Sequence, residues 1–84
     1  MRRIVEGDVF VFIGNKTRMS HYEKFTVGER YVVHSTSDMS AFGEYRSLGV
    51  IFRDFPYGTY DDYIWINFEL VEDHRDRILS DIGI

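Results

Sequence analysis

The chain has no cysteine and only one proline, Pro56. Without cysteine it forms no disulfide and offers no thiolate to a metal, which fits a reducing cytosol. It also has no apolar run near the ~20 residues of a membrane span. The opening stretch Met1-Arg2-Arg3-Ile4-Val5-Glu6 carries arginines but no apolar core, so it does not read as a signal peptide. A basic excess is missing too. Ten Lys and Arg stand against 14 Asp and Glu, for a net charge of −4. Such a surface does not attract a phosphate backbone as a whole. These absences point to a soluble cytoplasmic protein.

What is present is apolar and aromatic. Eighty-four residues, 44% hydrophobic and 17% aromatic, make one folded domain. A chain of this length buries only about 60–65% of its unfolded surface, so the core has to be dense. Phe, Tyr and Trp each supply roughly 150–250 Å² toward it.

The pattern along the chain is mainly β. Gly7-Asp8 opens an apolar strand over 8–13, broken by Gly14-Asn15. Residues 16–24 read as a polar loop. Phe25-Thr26-Val27-Gly28 reads as a turn with Gly28 at positive φ, followed by a strand over 30–35. A second polar loop starts at Ser35 and runs toward Arg46. A third strand covers 48–53, and Asp54 to Thr59 form a turn around Pro56. A fourth strand is expected over Tyr63–Ile66 and a short closing strand over Glu69-Leu70-Val71. Five short strands, with one helical turn at Asn67-Phe68 before the last, fit an SH3-like barrel over residues 1–72.

Residues 73–84 change character. Asp73 caps a short helix, and Ile78, Leu79 and Ile82 share one of its faces. A helix of about ten residues is marginal alone. The expected strands are apolar on both faces: Val9, Val11 and Ile13 against Phe10 and Phe12, then Tyr63 and Trp65 against Ile64 and Ile66. The tail is therefore expected to cover outward apolar positions, within one chain or across a homodimer. Trp65 is expected to be largely buried.

The pieces Gly7-Asp8-Val9-Phe10-Val11, Phe25 to Val33, Leu48 to Phe52, and Trp65 with Phe68-Glu69-Leu70-Val71 resemble small SH3-like barrel proteins of bacteriophage accessory genes. KOW-type modules look similar over the first two pieces. The resemblance implies a compact barrel whose members of known role tend to bind a host protein. No functional residue carries over, because the matched positions are turn and core positions.

The residues themselves add no catalytic constellation. His21, His34 and His74 lack metal-ligand spacing, the glycines are scattered singly, and Asp61-Asp62 would point to opposite faces of a strand. No cofactor and no metal is implied, and the expectation is a non-enzymatic binding protein. The aromatic run Phe55, Tyr57, Tyr60, Tyr63 and Trp65 is either core or a binding surface rimmed by Arg53, Asp54, Asp61 and Asp62. The binding reading takes Tyr57, Tyr60 and Trp65 as anchors for a host protein, with Met39 and Phe42 second. The alternative is a nucleic-acid-binding barrel using Arg2, Arg3, Lys16 and Arg18, with Tyr22 stacking on a base.

Overall fold

The computed structural model describes residues 2–38 and 48–81, with only the backbone of Asp81. Five antiparallel strands form a curled, open half-barrel. They are β1 (Val9–Phe12), β2 (Arg30–Asp38), β3 (Leu48–Phe52), β4 (Gly58–Tyr60) and β5 (Phe68–Leu70), in the spatial order β4-β3-β2-β1-β5. A 3-10 helix (Ser20–Lys24) lies between β1 and β2. Helix α1 (Asp61–Asn67) joins β4 to β5, and α2 (Val71–Asp81) follows β5 directly. Among the described residues no helix is long and apolar enough to cross a membrane.

The bend comes from β2. Its first part pairs with β1 (Val9 opposite Val32), and its second part pairs with β3 (Ser35 opposite Ile51). The register shifts between Val33 and Ser35, leaving His34 exposed at a bulge. Thr26 to Glu29 form the turn before β2. Gly28 sits there at φ +88° as the sequence implies, and its N–H donates to the Phe12 carbonyl at 2.9 Å.

The core is aromatic. Phe10 and Phe12 point inward with Val33, Val50, Phe52, Ile64, Phe68 and Leu70. Phe25 stacks on Phe55 with centroids 4.3 Å apart and on Phe12 at 5.5 Å, and meets Phe68 edge-on. Val11 points to the other face yet is buried as well, apart from this cluster. Helix α2 is packed against β1 and β5.

Four expectations need correction. Residues Tyr63–Ile66 are not a strand but part of α1. A four-residue apolar run has no period that separates a strand from a buried helix turn. Here Ile64 and Asn67 are the buried pair, three residues apart, and the Oδ1 of Asp61 accepts the N–H of Asp62 in the first turn. The fourth strand is instead Gly58–Tyr60, inside the expected turn, with Thr59 facing inward. Strand β2 runs on through Ser35–Asp38, because pairing with β3 supplies its backbone partners whatever its side chains. Finally, α2 starts at Val71 rather than Asp73, so a division at 72/73 falls within the helix.

Candidate interaction surface

On the outward face of β2, β3 and β4 the register sets two rows: Ser35, Ile51 and Gly58, then Ser37, Gly49 and Tyr60. The small residues leave Ile51 and Tyr60 standing out as diagonal neighbours, each 44% exposed. Tyr60 leads directly into α1, and its ring meets Tyr63 with centroids 6.4 Å apart. Tyr63 and Ile66 share a face of α1, and Ile66 is 45% exposed. Ile51, Tyr60, Tyr63 and Ile66 thus follow one another as an apolar stripe whose contour is at most about 20 Å, counting a cross-strand diagonal, a ring pair and one helical step. Asp62 and Ile66 are exposed one turn apart on α1, while Tyr63 is half-buried, its ring 6.0 Å from that of Tyr22.

Gly58 in the stripe's floor is not demanded by the fold. Its φ is not positive, and a Cβ there would meet nothing nearer than the Val50 carbonyl at 3.9 Å. A strand glycine of this kind weakens the strand and suits the close approach of another surface.

The stripe ends at a stiff basic loop. Asn67 is fully buried. Its Oδ1 accepts the N–H of Lys16 at 2.8 Å and of Thr17 at 3.3 Å, and its Nδ2 donates to Thr17 Oγ1 at 3.1 Å. Asn15 closes the other side: Nδ2 donates to the Met19 carbonyl at 2.8 Å, while Oδ1 accepts from Thr17 Oγ1 and the Met19 N–H. Arg18 is held at φ +57°. Lys16 and Arg18 are exposed, and neither makes an ion pair among the described residues.

The three expected anchors separate. Tyr60 belongs to the stripe. Tyr57 is 39% exposed but engaged: Phe55 and His21 meet its ring edge-on, and Lys24 Nζ lies 3.4 Å from its centroid. His21 also ties the 3-10 helix to β4, donating from Nε2 to the Gly58 carbonyl at 2.7 Å. Trp65, expected to be largely buried, is partly buried and packed against the core, with its ring edge-on to Phe10 at 5.5 Å. It is part of the core wall rather than an outward anchor. Met39 and Phe42 lie outside the described residues. Ile51 and Ile66 were missed. Ile51 was legible from the alternation of β3, whereas Ile66 was assigned to a strand that does not exist.

The basic residues of the nucleic-acid reading fall into two groups, before and after β1, and Tyr22 is buried. Arg2 makes a bidentate pair with Asp8, both contacts 2.9 Å, just before β1. Lys16 and Arg18 come after its far end, so a strand of about 13 Å lies between the two groups. Arg3 is exposed beside Arg2. The side-chain hydrogen bond from Arg2, helped by the Val5 N–H, holds the Asp8 carboxyl below its usual range, and the same bond raises the Arg2 guanidinium. Tyr22 is 1% exposed, stacks on Phe25 and shares a hydrogen bond with the Thr59 hydroxyl, so no base can lie on it. Burial pushes its hydroxyl above the ordinary tyrosine range, with the Thr59 bond acting the other way.

Compared with protein-family models, curated proteins and solved structures, the chain matches none of them.

Proposed function

We propose that this chain is a non-enzymatic binding protein of the SH3-like barrel kind, phage-encoded, which docks on a host protein and modulates it. The strand order and the helical segment before the last strand support the barrel reading. The observation that carries the binding reading is the stripe Ile51-Tyr60-Tyr63-Ile66 over a floor of Gly49 and Gly58. Tyrosine beside small residues offers large contact area at low rotamer cost, as interface centres require. Partner binding at this stripe is read by capture from host lysate. Wild type is compared with Tyr60→Glu on the stripe and Val27→Glu, which is exposed elsewhere. A protein retained by wild type and Val27→Glu but lost with Tyr60→Glu is the expected result. Equal capture by all three removes the stripe from the interface.

A further inference from the structure

We propose that the stripe also accepts α2 of a second copy of this chain, so that two molecules exchange helices across a two-fold axis. The inference rests on reading the stripe as an interaction surface, and it names an occupant.

Helix α2 has an apolar side left partly exposed by the described residues. His74 Nδ1 lies 3.1 Å from Glu69 Oε1, and Arg77 Nε donates to both Glu69 oxygens at 3.0–3.1 Å. These contacts turn one side of the helix toward β5. At 100° per residue, Arg75, Ile78 and Leu79 fall on a separate arc about a third of a turn away. Ile78 is 43% exposed and Leu79 40%. The tail is expected to cover outward apolar strand positions, within one chain or between chains; in its own molecule α2 is held on β1 and β5 and leaves Ile78 and Leu79 exposed. Eleven residues are too few to hold a helix in water without packing.

The two faces match. Eleven helical residues span about 16 Å, against a stripe contour of at most about 20 Å. Each face carries one charge among its apolar residues, of opposite sign: Arg75 beside Ile78 and Leu79, and Asp62 beside Tyr63 and Ile66. At the flank, Glu72, Asp73 and Asp76 of α2 are exposed, Glu72 and Asp73 within the field of Arg2 of their own chain, and the Lys16 N–H is bonded to Asn67, next to Ile66. A second copy supplies the helix and receives one in return, so the assembly closes as a dimer. The contact is one helix face wide, which puts it at the small end of specific interfaces and makes it concentration-dependent. A protein partner that uses the stripe must then displace α2 of the other copy.

The test is mass by light scattering and sedimentation over a concentration series, with circular dichroism confirming each fold. Wild type rises from monomer toward dimer. Asp62→Arg and Arg75→Asp each remain monomeric, and the double variant Asp62→Arg/Arg75→Asp dimerises again. Wild type that stays monomeric, a dimer indifferent to Asp62→Arg, or a double variant without rescue overturns the proposal. Because the chain has no cysteine, crosslinking gives a second readout that needs no charge reversal. Asp62→Cys mixed with Arg75→Cys forms the mixed disulfide on mild oxidation, and Val27→Cys with Arg75→Cys does not; equal yields overturn the pairing. A monomeric wild type that still captures a partner through Tyr60 sinks self-pairing alone. A rescued dimer without Tyr60-dependent capture sinks the partner reading alone.

Discussion

Asn67 is the residue whose loss tells most about how the stripe's end is held. It is fully buried, and its side chain satisfies two backbone N–H groups and one hydroxyl in the loop of Lys16 and Thr17. Asn67→Leu keeps the number of side-chain heavy atoms, adds some bulk and removes all three hydrogen bonds. Each intact bond contributes about 0.5–1.5 kcal/mol net, and a polar group stranded without a partner costs about 1–3 kcal/mol. Lys16 is exposed, so water replaces part of what its N–H loses; Thr17 is half-buried and regains less. The expected cost is about 2–4 kcal/mol. A domain of this size has only about 4–13 kcal/mol in all, so the melting temperature should fall by roughly 4–8 °C per kcal/mol. Thr17→Val removes both hydroxyl bonds, to Asn15 and from Asn67, and should cost about 1–3 kcal/mol. Urea unfolding measures both variants, and hydrogen exchange should show the Lys16 and Thr17 amides opening in Asn67→Leu. A loss under about 0.5 kcal/mol, the level of an ordinary surface change, would refute the view that Asn67 organises this loop.

Three further outcomes follow from local geometry. Gly28→Ala meets no steric neighbour but must adopt φ +88°, so it should cost on the order of 1 kcal/mol in thermal unfolding; no change would mean that the turn relaxes freely. The Asp8 carboxyl has a folded pKa below its unfolded value, so its contribution is complete above the unfolded pKa and is lost as pH falls through the folded one. Asp8→Asn should therefore flatten the acid limb of stability against pH and leave the neutral-to-alkaline limb unchanged. Tyr22 has a folded pKa above its unfolded value, so its contribution is lost as pH rises through the folded pKa. Tyr22→Phe should cost about 1 kcal/mol near neutrality and remove part of the alkaline loss, and Tyr22→Phe/Thr59→Val should cost less than the sum of its parts by urea titration.

Much of the frame was legible in the chain. Strand β1, the turn at Gly28 and the start of β2 follow from apolar residues set between turn residues, because local sterics act within a few positions. The helical tail was readable from the spacing of Ile78, Leu79 and Ile82. Tyr60 could be picked as an exposed aromatic.

What the chain did not show is what depends on distant partners. Tyr63 to Ile66 are apolar on every side, so strand and helix are equally consistent with them; the packing of Ile64 and Asn67 beneath β3 and β5 selects the helix. Ser35 to Asp38 are polar enough for a loop and become strand because β3 lies alongside with unpaired backbone groups. Gly58 to Tyr60 look like the end of a turn and become β4 by pairing with Gly49 to Ile51. The stripe has the same origin. Ile51 and Tyr60 are nine positions apart, and only cross-strand register makes them neighbours. Lys16 lies 51 positions from Asn67, and only a buried amide joins them. Local preference is decided over a few residues, whereas register and burial are decided by whatever the fold brings opposite.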